Sequence, residues 1–148
     1  MDYETVREGL QAAIPYNNHV GLEYVEVAEG KGVVRLPDAE TLKNHVGSQH
    51  AGALFSAGEA ASGGAFVGAF AEHLAGITPL ARSAEINYLK LAKGEITATG
   101  RLPGAVAGLL AKLDSDGRVE FPVEVEMTDG DGNTVAEMTV NWHLRKNS

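Results

Sequence analysis

Residues 51–75, AGALFSAGEAASGGAFVGAFAEHLA, decide the fold. The stretch holds no proline and abounds in alanine, so it reads as one central helix from Ala51 to about Ala75. It also carries Gly52, Gly58, Gly63, Gly64 and Gly68, and an interior glycine costs on the order of 1 kcal/mol relative to alanine. That composition is poor for a solvent-facing helix. It suits a helix that a sheet wraps closely, because short side chains let the two backbones approach.

The flanking sequence supplies the sheet. Upstream, Tyr3 to Ile14 is a short amphipathic helix with Val6, Leu10 and Ile14 on one side, stopped by Pro15. A hairpin follows, Gly21 to Ala28 and Val33 to Leu36, turning at Glu29–Gly32. Asp38 to Gln49 is an irregular loop leading to His50. Downstream, strands are predicted over Ser83–Leu91, Glu95–Leu102, Arg118–Thr128 and Thr134–Leu144, with a short helix at Ala105–Leu113. The last two alternate cleanly: Val119, Phe121, Val123, Val125 and Met127 share one face, as do Ala136, Met138, Val140, Trp142 and Leu144. Strands, one long helix, then a run of strands define α+β, an antiparallel sheet packed on a helix.

The chain's 148 residues, 44% hydrophobic and 22% charged, suit a single domain spanning 1–148. A net charge of −8 disfavours nucleic acid. The absence of cysteine excludes disulfides, thiolate metal sites and a cysteine nucleophile. The charged start, Met1 to Glu8, is unlike a signal peptide, and no apolar run is long enough for a bilayer, so no membrane partner and a cytoplasmic location are expected.

Between Leu54 and Phe70 the only charged residue is Glu59. Phe55, Phe66 and Phe70 fall within about 40° of it on a helical wheel, so the carboxylate projects from an apolar face. Desolvation there raises its pKa, and no Lys or Arg occurs between Lys43 and Arg82 to pair with it locally. Functional sites are where such unpaired charges persist. The competing reading is a structural glutamate at a helix contact. At the helix start, the N–H groups of Ala51 and Gly52 are free donors at the positive dipole end, an arrangement that suits an oxyanion hole.

The segment Asn44-x-x-Gly47-x-x-His50-Ala51-Gly52-Ala53-Leu54-Phe55-Ser56-x-x-Glu59 resembles the signature of hotdog-fold acyl-CoA thioesterases of the phenylacetate-pathway type, in a poorly characterised subgroup. Ile86-Asn87-Tyr88-Leu89 and Lys93-Gly94 resemble the strand that follows the helix in that family. The resemblance implies a hotdog fold, hydrolysis of an acyl thioester, and coenzyme A as part of the substrate with no other cofactor. It implies Glu59 as general base or nucleophile and the Ala51 N–H as oxyanion donor. Asn44 would position water or the carboxylate, and His50 would support the loop and the thioester carbonyl. Ala51 departs from the family's usual first glycine, and the Ala105–Leu113 helix interrupts its usual run of strands.

Ala51 and Glu59 are 59 − 51 = 8 positions apart, about 12 Å along one helix. One reacting carbon cannot lie within about 3 Å of both, so a site that uses both needs two chains. Antiparallel helices across a two-fold axis supply it, in a homodimer or a tetramer of dimers. A chain this acidic needs local cations for coenzyme A phosphates; Arg82, Lys90 and Lys93, beside turns, are the candidates, with ordinary solubilising charge as the competing reading.

Other motifs are set aside. His45 and His50 sit in a loop without Cys or Asp beside them, so no metal site is expected. Asp129–Asn133 resembles a calcium loop, but Thr134 and Val140 occupy its glycine and glutamate positions, which leaves a hairpin turn. Two functions other than hydrolysis remain: a non-catalytic acyl-CoA-binding or ligand-sensing module, and a hydroxyacyl dehydratase, which needs a His–carboxylate pair placed differently.

Overall fold

The computed structural model describes residues 1–148. Helices α1 (Tyr3–Ala13) and α2 (Pro15–Val20) precede strands β1 (Glu23–Ala28) and β2 (Lys31–Leu36). Helix α3 (Ala51–Phe70) is followed by β3 (Ile77–Tyr88), β4 (Ile96–Arg101), α4 (Val106–Asp116), β5 (Arg118–Thr128) and β6 (Thr134–Lys146). The six strands form one antiparallel sheet in the order β1-β2-β4-β5-β6-β3, curved around α3. This is the expected α+β architecture. No helix is long and apolar enough to cross a membrane.

Contact between α3 and the sheet is backbone on backbone. A methyl group built on Gly32 of β2 would lie 2.5 Å from the Ala61 carbonyl oxygen, and one on Gly100 of β4 would lie 2.7 Å from that same oxygen. Two turns later on the helix, the Ala28 carbonyl fills the space a side chain at Gly68 would need. The sheet supplies the bulk the helix cannot: Val123, Val125, Met127, Met138, Val140 and Trp142 are buried, mostly in the alternation read from the sequence. Phe66 packs on Trp142 with ring centroids 4.4 Å apart, and Phe70 stacks on Phe121 at 5.5 Å.

Several boundaries differ from the sequence reading, three of them with a clear physical cause or a large shift. Pro15 both ends α1 and opens α2, because its fixed φ and missing N–H suit the first helical position. The α-helical part of the central segment ends at Phe70, and Ala71–Gly76 tightens into a 3-10 turn. Strand β3 begins at Ile77 rather than Ser83; Pro79 is tolerated because β3 is a sheet edge.

Gly100→Ala is expected to destabilise the protein by about 1–3 kcal/mol, since the methyl must displace helix backbone rather than a side-chain tip. Gly9→Ala, on the exposed side of α1 with nothing within 4 Å, is expected to stabilise by about 0.5–1 kcal/mol. Paired denaturant melts of the two variants check both signs.

Candidate active site

Helix α3 is covered over most of its circumference. Among its less buried positions, Gly52, Phe55, Ser56, Glu59 and Gly63 follow one another at helical spacing and form one open face. One turn beyond them Trp142 and Phe121 close over Phe66 and Phe70. Glu59 lies half-buried in the open face, and its carboxylate makes no hydrogen bond or ion pair within the chain. Burial raises its pKa above the ordinary 4.5. The buried Tyr24 phenol beneath feels both effects, pushed up by desolvation and then by the Glu59 charge. Its hydroxyl donates to the Ala60 carbonyl at 3.2 Å and accepts from Asn17 at 3.2 Å.

The helix start is built by its own loop. His50 is the N-cap, and its Nδ1 accepts the Gly52 N–H at 2.8 Å. An accepting Nδ1 leaves the proton of the neutral ring on Nε2. Gly52 is thereby corrected as an oxyanion donor: its N–H already has a partner, and only the Ala51 N–H stays unpaired in the chain. The Ala51 carbonyl accepts from the Tyr88 hydroxyl at 3.1 Å. The peptide that follows the free N–H is therefore held at both ends, by Tyr88 at the oxygen and His50 at the nitrogen.

Asn44 also departs from its expected role. Its Nδ2 donates to Ser48 Oγ at 2.9 Å and to the Gln49 carbonyl at 3.4 Å. Its Oδ1 accepts the N–H groups of Val46 and Ser48, each at 3.1 Å. The amide is spent on its own loop, so Asn44 shapes the approach to His50 instead of holding water. Gln49, which nothing in the sequence pattern singles out, anchors that loop: its Nε2 donates to Pro37 and Gly94 carbonyls, both at 2.9 Å. Its backbone N–H reaches the Ala92 carbonyl at 2.7 Å.

The three candidate cations separate. Lys90 and Lys93 lie, exposed and without ion pairs, in the segment whose Ala92 and Gly94 carbonyls hold Gln49, and so beside the helix start. Arg82 does not join them. It is paired with Glu120, which also accepts from His143 at 3.0 Å, and it stands six strand residues from Tyr88, about 20 Å along β3. Arg82 first and His143 second hold the Glu120 carboxyl below its ordinary value. A groove of about 920 Å³ lies on the sheet face away from α3 among Glu85, Glu124, Glu126, Glu137 and Arg101, and excludes Glu59.

A six-stranded antiparallel sheet wrapped around one long helix is the hotdog fold, and solved structures similar to this one share it. The chain belongs to the family described as a domain of unknown function (DUF4442), whose model matches residues 3–144. A Pseudomonas aeruginosa protein described as a probable thioesterase superposes with a TM-score of 0.86 at 29% identity, over 97% of this chain and 95% of that one. The Escherichia coli PaaI protein of the phenylacetic acid degradation operon gives 0.73 at 18%, over 95% and 90%. A Staphylococcus aureus thioesterase gives 0.71 at 17%, over 89% and 99%. No curated protein matches the sequence.

Glu59→Gln removes a charge that burial disfavours. Because the folded pKa is raised, the neutral acid is the stabilised form: that stability is complete below the ordinary value of 4.5 and is lost as pH rises through the folded value. Thermal melts should place Glu59→Gln above the parent near about pH 8 and level with it near about pH 4.

Proposed function

We propose that this chain is an acyl-CoA thioesterase whose active site is shared between two subunits. The observation that carries the reading is the unpaired, half-buried carboxylate of Glu59, eight residues along α3 from the free N–H of Ala51. The thioesterases among its structural neighbours supply the reaction class. Glu59 of one subunit takes a proton from water, and the resulting hydroxide attacks the thioester carbon. The oxyanion is met by the partner's Ala51 N–H at the positive end of its helix. The C–O bond forms, the C–S bond breaks, and the thiolate leaves with a proton from the acid. A pKa raised by burial suits a base working near neutral pH.

Strand β3 supports assembly. It is a free edge of twelve residues in which only Ile77 is buried, and Leu80 and Tyr88 are exposed. A long uncovered edge of this kind pairs readily with another strand. Antiparallel pairing of two copies brings each helix start toward the other chain's carboxylate.

Two inactive variants test the shared site. Glu59→Gln should lower kcat/KM by about 10²–10⁴-fold with the fold intact. Ala51→Pro deletes the donor at the one helical position where proline is well tolerated. Mixing the two with subunit exchange should restore activity, since one site in each heterodimer keeps both groups. Exchange confirmed by mass spectrometry without recovered turnover refutes the two-chain site.

Lys90 and Lys93 are the cations that fit coenzyme A phosphates. Lys90→Ala and Lys93→Ala should each raise KM for acyl-CoA with kcat little changed, and leave KM for a thioester lacking the nucleotide unaltered. Arg82→Ala, already paired with Glu120, should leave both constants unchanged. Steady-state kinetics on the two substrates separate these outcomes.

A further inference from the structure

Position 55 is the midpoint of the two groups in the proposed reaction, since (51 + 59)/2 = 55. When antiparallel helices related by a two-fold axis bring residue 51 of one beside residue 59 of the other, residue n faces residue 110 − n of the partner. Residue 55 then faces itself, on the axis. At about 100° per residue, positions 51 and 59 lie about 40° to either side of 55, so all three project from one face.

Phenylalanine occupies that position, and the structure leaves it uncovered. Phe55 is 38% exposed, whereas Leu54, Phe66, Val67 and Phe70, the other large apolar side chains of α3, are at most 9% exposed. It stands on the open face between Gly52 and Glu59. The orientation also suits the charges. Parallel helices in register would set two half-buried, unpaired Glu59 carboxylates face to face, which each opposes in the other. The antiparallel arrangement keeps them about 12 Å apart along the helices, beyond a Debye length of about 10 Å.

We propose that Phe55 packs against the partner's Phe55 on the two-fold axis of a homodimer. This aromatic pair divides the interface into two composite sites, each about 6 Å along the helix from the axis. The inference rests on the shared site proposed above, and its test separates the two.

The chain has no cysteine, so Phe55→Cys places a single thiol in each subunit. Helices packed about 10 Å apart, with Cα atoms about 2.3 Å off each axis, bring facing Cα atoms to about 5.4 Å, within the range of a disulfide. Mild oxidation of Phe55→Cys should give a covalent dimer on a non-reducing gel. Gly63→Cys, which has open space at its Cβ and lies beyond the 51–59 stretch where the two helices overlap, should stay monomeric on that gel. Phe55→Ala should raise the dimer dissociation constant at least about 30-fold by sedimentation, the loss typical of a central aromatic anchor. A dimer that hydrolyses acyl-CoA through Glu59 but does not cross-link at 55, or cross-links at 63 instead, overturns the axis and leaves the shared site standing. A monomer that hydrolyses overturns both. Cross-linking at 55 in a protein that hydrolyses no thioester upholds the axis and overturns the hydrolase reading.

Discussion

The contact of the Ala61 carbonyl with Gly32 and Gly100 sets the terms for the rest of the molecule. Two neighbouring strands touch one turn of helix through main-chain atoms, so the helix cannot move toward or away from the sheet without a clash or a void. The interior is close-packed, and such a contact has no side chain that can rotate out of the way. The helix therefore gives up side-chain bulk where it meets the sheet, and the sheet makes up the volume with Met127, Met138 and Trp142. Whatever α3 carries on its remaining open face is held at a fixed height above the strands. Glu59 is the one charged group it carries.

That rigidity explains how a carboxylate can stay half-buried without a partner. Its turn of helix is tied from below. Ser62 Oγ donates to the Glu59 carbonyl at 2.7 Å and accepts from Trp142 Nε1 at 3.1 Å, while Tyr24 donates to the next carbonyl along. None of these bonds reaches the carboxylate itself. The polar groups satisfy the backbone and leave the acid to its apolar surroundings, which is what raises its pKa.

The parts legible in the sequence are those where one face is buried and the other is not. Strand β5 alternates strictly and β6 does so from Ala136 onward, which makes their limits legible almost to the residue. Glu59 was legible because a lone charge in an apolar helix has few explanations. Residues 77–82 were not, because an edge strand open on both faces has no alternation to read. Helix α2 spans six residues, too few to display a period. The site residues divide in the same way. Residue type told that Asn44, His50 and Gly52 could make hydrogen bonds, but their partners depend on how the loop closes. In the fold Asn44 turns to Ser48, and His50 takes the N–H of Gly52. Arg82 looked free because Glu120, its partner, is 38 residues away in the chain.

The eight-residue spacing of Ala51 and Glu59 along α3 has a consequence in mass action. Ala51 and Glu59 sit eight residues apart on one helix, about 12 Å along its axis, so under the proposed mechanism each subunit carries two half-sites and no whole one. For the reaction proposed here, dilution is then a switch. Well below the dissociation constant of the dimer, the rate falls with the square of chain concentration rather than in proportion to it. On that proposal a newly made subunit is chemically silent until it meets another, and thioester is hydrolysed only where the protein has accumulated.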